Sequence, residues 1–395
     1  MQIRSLFLKH LAQTNPEPIG LAIDHAEGMY LYDNNGNKYI DLIAGISVSN
    51  VGHQHPDVLD AVKNQIDRNM HVMVYGEVIH DQTVKYAHWI CSNMSPNLNS
   101  VYFVNSGSEA TDTAMKLAKR YTKKSGFVAQ NDSYHGSSQG PLSLMNDSYF
   151  TERYKPLLNG IYYINQNNLE ELIDIQPSRI AAVVMELIQS ERGALSATLE
   201  FVRYVREWCT KNNILLIVDE IQTGFYRTGK PFAYMHYGIQ PDVILLGKAL
   251  GGGMPMGAVV ASEKIMSSFT RNPILGHITT FGGHPVVAAA GFAANNWVFQ
   301  NIKQLKVEEK SQLFKELLVH QKIKTVEGRG LLLACHLTTD INIVEFNQKL
   351  LAKRIFTDWF LFNMNAIRIA PPLIISNEEI KWVCKMILDT LNEYD

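Results

Sequence analysis

From about residue 100 to residue 262 the chain repeats one pattern. A short apolar run is followed by a turn, then by a stretch with apolar residues three and four apart. The runs are VYFVNSG (101–107), GFVAQND (126–132), AAVVMEL (181–187), ILLIVDE (214–220), VILLGK (243–248) and GAVVAS (257–262). Apolar runs this short, bounded by turn residues, predict strands buried on both faces. The stretches 109–124 and 197–212 carry helical periodicity. Alternation of β and α over this length predicts an α/β fold with a mostly parallel, doubly wound sheet.

The flanks read differently. GMYLYDNNGNKYIDL (28–42) predicts two strands around an Asn-Gly turn. Asp33 and Asn34 are turn formers there. The DNNG segment is not a calcium loop, because Ala44 stands where the bidentate glutamate belongs. Helices are predicted around 56–70 and 79–92. Beyond residue 300 come longer charged helices with a few strands, among them GLLLACHL and NAIRIAPP. The expected organisation is a large domain over 51–300 and a smaller α+β domain built from 1–50 and 301–395. At the start, MQIRSLFLKHLAQTN puts Ile3, Leu6, Phe7 and Leu11 on one helical face. With no long apolar core and no small-residue cleavage site, it predicts a docked amphipathic helix rather than a presequence.

Composition narrows the function. With 36 basic and 38 acidic side chains the formal net charge is −2, which argues against a nucleic-acid partner. The apolar runs are too short to cross a bilayer. Cys91, Cys209, Cys335 and Cys384 form no CxxC pair, so zinc and a disulfide framework are not expected and a cytoplasmic setting is. His53 and His55 lack a third ligand and are read as structural.

Candidate chemistry lies at the strand ends, where such sheets bind ligands. VYFVNSG runs into a helix starting near Ser108 and Glu109. Free N–H groups and the helix dipole make such a junction an anion site, although Ser is also an ordinary cap. No GxxxxGK[ST] loop is present. ILLIVDE ends in Asp219 and Glu220. VILLGK ends in Lys248, just ahead of three glycines that suit a tight turn. Lys248 is either where the chain surfaces or a desolvated amine of lowered pKa, a nucleophile toward carbonyls. An anion site, a buried carboxylate and such an amine together suit pyridoxal 5′-phosphate: phosphate anchor, partner for the pyridinium nitrogen, and Schiff-base lysine.

The ordered segments YIDLIAGISVSNVGHQHP, FVNSGSEATDTAMKLA, YHG, MELIQSERG, VDEIQTGFYRTGK, PDVILLGKALGGGMPMGAVV, HITTFGGHP and IRIAPPL cover nearly the whole chain. In them the sequence resembles the class III aminotransferases of fold type I, the group of the ornithine, acetylornithine and 4-aminobutyrate enzymes. The resemblance implies an imine between Lys248 and the cofactor. It implies that Asp219 holds the ring nitrogen protonated and that Gln222 meets the phenolic oxygen. Ile221 and Tyr134 would pack on the two ring faces. Gly107 and Ser108 would bind the phosphate, and Thr280 would reach it from the neighbouring subunit of a homodimer. Arg368 would hold an α-carboxylate, and Glu191 would mask it during the first half-reaction.

The implied activity is transfer of an amino group from an ω-amine or amino acid, ornithine or acetylornithine type, to a 2-oxo acid. Freed Lys248 would act as general base and then acid in a ping-pong mechanism. Three positions depart from the pattern. Ser137 replaces an arginine that usually contacts a distal carboxylate, and it makes no bidentate ion pair. Ile46 replaces the tyrosine of ornithine enzymes, as in acetylornithine-like members. His284 stands where asparagine is usual. Competing readings are an aminomutase, decarboxylase or racemase on the same cofactor, and a catalytically silent dimer. Glu220 stays open between orienting neighbours and assisting the cofactor. Arg227 and Lys230 are read as surface or dimer contacts, and Glu109 as a charge favouring the first helical turn.

Overall fold

The computed structural model describes residues 3–74 and 76–394. Its centre is a seven-stranded sheet: β1 (Ser100–Val104), β2 (Gly126–Gln130), β3 (Ile161–Ile164), β4 (Ile180–Glu186), β5 (Leu215–Asp219), β6 (Val243–Leu246) and β7 (Gly257–Ala261). The spatial order is β1-β7-β6-β5-β4-β2-β3. Alternate residues serve opposite faces. Val183, Met185, Leu216 and Val218 pack with Phe201, Val202 and Val205 of the helix Leu199–Lys211. Ala182, Val184, Leu215 and Ile217 pack with Ala114, Leu117 and Ala118 of the helix Gly107–Thr122. Both faces are covered, so the strands read as unbroken apolar runs rather than alternating ones.

Two features were not legible in the runs. β7 is antiparallel to both β6 and β1. The chain turns back immediately after Lys248 instead of crossing over through a long helix, and only an antiparallel neighbour permits so short a return. The edge strand β3, IYYI, carries partly exposed residues and lacked the apolar signature.

The remaining layers join the two ends of the chain. Ile355–Phe356 pairs in parallel with Lys38–Asp41, which with Tyr30–Asp33 forms the expected hairpin, extended by Ile23–Glu27. Asp33 Oδ1 accepts from the amides of Asn35 and Asn37, fixing the turn. A second sheet orders Ile323–Arg329, Leu332–Leu337, Asn363–Ile369 and Trp359–Phe360. Met29, Ile40 and Leu42 share a core with Phe346, Ile367 and Ile387. The N-terminal helix forms over Ile3–His10, but none of its residues is buried, so the expected docking is shallow. A groove lined by Ile3, Phe7, Ile19, Leu21, Ile23 and Phe356 lies against it.

Arg227 corrects the surface expectation. It is fully buried and donates to the carbonyls of Leu331 (2.8 Å) and Pro371 (2.6 Å) and to Asn50 Oδ1 (2.6 Å). It pins three distant segments together, and burial lowers its pKa to about 9. Lys230 is exposed and donates to the Met235 carbonyl.

Candidate active site

The strand register gathers the site. Asp219 lies beside Glu186 on β4 and Leu245 on β6. Lys248 follows β6 by two residues, and the Gly107–Thr122 helix starts just past β1. These ends surround a cavity of 460 Å³ lined by Gly107, Ser108, Tyr134, His135, Gly136, Ser137, Ser138, Glu186, Glu191, Asp219, Ile221, Gln222 and Lys248. Eight sequence-predicted residues are thus brought together. Arg368 sits behind the wall, bonded to Glu191. Ile46 and Thr280 do not line the cavity. Thr280 is exposed, next to Thr279, whose hydroxyl accepts from Asn105 Nδ2 at the foot of the same helix.

Lys248 is held in the left-handed region, at φ 49°, between Gly247 and a short turn ending at Gly252. Gly252 is needed there: its φ is +60°, and a Cβ would lie 2.5 Å from the Ala290 carbonyl oxygen. The ammonium donates to Gln222 Oε1. Burial lowers the Lys248 pKa to about 8, against the restoring charge of Glu191. Of the two readings of Lys248, a surfacing charge or a desolvated amine, this burial favours the second.

Asp219 is clamped from two sides. Its Oδ1 accepts from the Ile221 amide (2.9 Å), and its Oδ2 lies 2.7 Å from His135 Nδ1. Burial opposes charge on His135, but the hydrogen bond and charge of Asp219, with Glu186 beyond, push its pKa up. Glu186 was not singled out from the sequence. Burial lifts it to about 7, while its oxygens accept from the amides of Tyr134 and Ser190. Glu220 holds its neighbours in place. Its carboxylate accepts from the amides of Ala233 (2.9 Å) and Tyr234 (2.8 Å) and from the Thr223 hydroxyl, and burial raises its pKa to about 7.

Ser106 caps the helix by accepting from the Glu109 amide (3.1 Å), and Glu109 Oε2 accepts from the Asn105 amide (2.8 Å). That leaves the turn at Gly107 and Ser108 facing the cavity. A Cβ on Gly107 would lie 2.8 Å from Ile221 Cδ1 and 3.2 Å from its Cγ2, so a larger residue there would have to displace the Ile221 side chain. Ser108 Oγ is 2.7 Å from Ser138 Oγ, which donates to Asp112 (2.8 Å). Tyr134 and Ser137 share a hydroxyl contact of 2.9 Å. His53, one of the two histidines read as structural, pairs with Asp41 (2.9 Å).

Arg368 Nη2 donates to Glu191 Oε2 at 3.0 Å, and Nε donates to Asp358 Oδ1 at 2.8 Å. Burial opposes charge on Arg368, and the two carboxylates more than compensate, raising its pKa. Burial works against the Glu191 anion too, but Arg368 and, more weakly, Lys248 hold it below its usual range. Asp358 goes the other way: burial lifts it despite Arg368. One guanidinium thus serves two carboxylates, the buried Glu191 and Asp358, whose side chain is a quarter exposed.

A mostly parallel sheet with a lysine, a clamped carboxylate and a helix N-terminus at its carboxyl ends defines a fold-type I pyridoxal-phosphate enzyme. The aminotransferase class-III family matches residues 11–391, and the chain belongs to it. It is similar to the acetylornithine aminotransferase of Caldanaerobacter subterraneus subsp. tengcongensis, at 35% identity over 98% of each chain. It is also similar to ornithine aminotransferase 1 of Staphylococcus saprophyticus, at 34% identity over 96% of each. Among solved structures, the ornithine aminotransferase of Toxoplasma gondii, which has PLP at partial occupancy in its active site, superimposes with a TM-score of 0.90 at 27% identity. The match covers 99% of this chain and 93% of that one. The protein is therefore a pyridoxal-phosphate-dependent aminotransferase, taking an amino donor and a 2-oxo acid. No helix among the described residues is long and apolar enough to cross a membrane.

Proposed function

We propose that the enzyme moves the terminal amino group of an ornithine- or acetylornithine-type donor to a 2-oxo acid such as 2-oxoglutarate, as a cytoplasmic homodimer. The observation that carries the reading is the meeting of Lys248, the Asp219–His135 pair and the Gly107–Ser108 turn around one cavity. The residues fit pyridoxal phosphate. Gln222 Nε2, a buried donor in the wall, has no protein partner and suits a phenolate oxygen. Asp219, its carboxylate fixed by Ile221 and His135, suits a pyridinium nitrogen. Gly107 and Ser108 suit the phosphate, and Ile221 and Tyr134 suit the ring faces. The relatives' printed activities, acetylornithine and ornithine aminotransferase, support the donor type.

The bound cofactor supplies a carbonyl for amines and a sink for the electron pair released at the substrate carbon. The chain's own groups do the rest. Lys248 Nζ, neutral above a pKa of about 8, takes the proton from the amine-bearing carbon of the donor. Asp219 keeps a fixed negative charge beneath the site. Glu191 covers Arg368 while a donor without a carboxylate at its reacting end is bound, then yields to the α-carboxylate of the acceptor. Ile46 is kept as a substrate-side residue on the family resemblance alone, since it does not line the cavity. The reading also keeps the division into a large unit over 51–300 and a small one over 1–50 with 301–395. Borohydride reduction followed by peptide mapping tests it. The pyridoxyl group is expected on Lys248, and a label elsewhere or nowhere overturns the assignment. A panel of ornithine, acetylornithine, 4-aminobutyrate, lysine and putrescine against 2-oxoglutarate and pyruvate then ranks the donors.

A further inference from the structure

The guanidinium of Arg368 is held by more than Glu191. The strand Asn363–Ile369 carries it, and the segment just before, 357–360, folds back alongside. The Arg368 amide donates to the Asp358 carbonyl (2.9 Å), and the Thr357 hydroxyl donates to the Arg368 carbonyl (2.6 Å). This register sets Asp358 opposite Arg368, with Oδ1 accepting Nε–H at 2.8 Å. The Trp359 carbonyl takes Nη2 at 3.2 Å, and the Phe360 ring lies 4.5 Å from the guanidinium carbon. Nη1 is buried and has no partner.

A guanidinium offers a carboxylate two paired edges, Nε with Nη2 or Nη1 with Nη2. Asp358 takes Nε of the first edge, independently of Glu191's contact at Nη2. Glu191 accepts only at Nη2 and is bonded besides to the Leu361 amide at 3.1 Å. When Glu191 moves aside, the edge that opens is Nη1 with Nη2. The formal charges also matter: one guanidinium faces two carboxylates, a local sum of −1 before any substrate carboxylate arrives.

We propose that Asp358 is a positioning and specificity residue, which blocks the Nε edge of Arg368 so that the acceptor's α-carboxylate docks end-on, and which weakens that docking by its charge. The proposal rests on the aminotransferase reading above. It makes the site a deliberately moderate carboxylate receptor. Donors bearing no carboxylate beside the reacting amine do not meet this penalty, whereas every 2-oxo acid does.

Two substitutions separate the effects of charge and position. Asp358→Asn keeps an oxygen for Nε–H and removes the charge. Asp358→Ala removes both. Calorimetric titration of the holoenzyme with glutarate, an unreactive dicarboxylate, should show about fivefold tighter binding in Asp358→Asn. The KM for 2-oxoglutarate should fall in parallel, with kcat near the wild-type value. In Asp358→Ala the KM should fall as well, but kcat of the acceptor half-reaction should drop about tenfold or more, because either edge is then open and the reacting carbon is misplaced. The half-reaction with a terminal-amine donor should change less than twofold in Asp358→Asn. Unchanged or weaker glutarate binding in Asp358→Asn overturns the charge role. Wild-type kcat in Asp358→Ala overturns the positioning role. If the wild type turns over no 2-oxo acid at all, the aminotransferase reading fails, and the glutarate affinities still decide the charge role.

Discussion

At the scale of single residues, the decisive group is the amine of Lys248. Its pKa of about 8 reflects burial, partly offset by the negative charge of Glu191. An amine is nucleophilic only when neutral, so reactivity rises with pH through this value and levels off above it. In enzyme stripped of cofactor, labelling of Lys248 by an amine-selective reagent is expected to have its midpoint near pH 8, not near the ordinary value of 10.5. Replacing Glu191 with Gln removes an anion that favours the ammonium, and the midpoint should move lower. Rate against pH, read by mass mapping of this one peptide, checks both; a midpoint above 10 in the parent enzyme contradicts the desolvation argument. Lys248 and Asp219 were legible because they stand at the ends of apolar runs, and position in a run is a local property. His135 and Asp358 were not. His135 meets Asp219 across 84 residues of chain, and Asp358 meets Arg368 through a strand register that no periodicity in TDWFLF announces. Nor did the sequence locate Arg227 in the interior, because two of its partners are backbone carbonyls, which every residue has, and the third, Asn50, lies 177 residues away.

At the scale of elements, the segment between the hairpin and the first long helix stands out. Ala44, Gly45, Ile46 and Ser47 have φ of 48°, 60°, 63° and 60°, a complete left-handed turn. Such a conformation costs about 1–2 kcal/mol for each residue bearing a Cβ. The turn is held at its start by Asp41, whose Oδ1 accepts from the amides of Ile43 (2.9 Å) and Ala44 (2.8 Å) while Oδ2 pairs with His53. Strain of this kind persists where the surroundings over-determine it. At Gly45 a Cβ would find only ordinary contact, Val48 Cβ at 3.7 Å, so a substitution there isolates the backbone term. Gly45→Ala is expected to lower stability by about 1–2 kcal/mol, measured as a shifted urea midpoint with an unchanged slope. No change in the midpoint would mean that the turn relaxes without cost. The strands and the hairpin were readable because burial on one or two faces writes a period into the sequence. This turn was not, since AGIS contains a single glycine and no Asn or Asp to signal four consecutive left-handed residues.

At the scale of the whole molecule, one group of exposed apolar side chains lies on two segments that touch. Met70, Val72, Met73 and Ile79 lie on one, and Ile274, Leu275, Ile278 and Phe281 on the other. The Phe281 ring lies 5.0 Å from that of His71, which joins the segments into one surface. Soluble monomers rarely leave so much contiguous apolar surface open, and a second copy of the chain is the proposed cover. The same stretch contains Thr280, which the family resemblance assigns to the neighbouring subunit's phosphate. Assembly and cofactor retention are therefore expected to fail together. Ile79→Glu places a charge on the most exposed of these side chains, 89% accessible in the single chain, where it costs a monomer almost nothing. Within an interface the same charge is desolvated without a partner. Sedimentation should show the parent as a dimer and the variant as a monomer of unchanged helix content by circular dichroism. The variant's affinity for pyridoxal phosphate should fall about tenfold or more, because each cavity loses the threonine supplied by its neighbour. Thr280→Ala separates the two effects, since it should weaken the cofactor while leaving the dimer intact. A dimer that survives Ile79→Glu moves the interface elsewhere. A monomer that keeps full cofactor affinity removes Thr280 from the phosphate site.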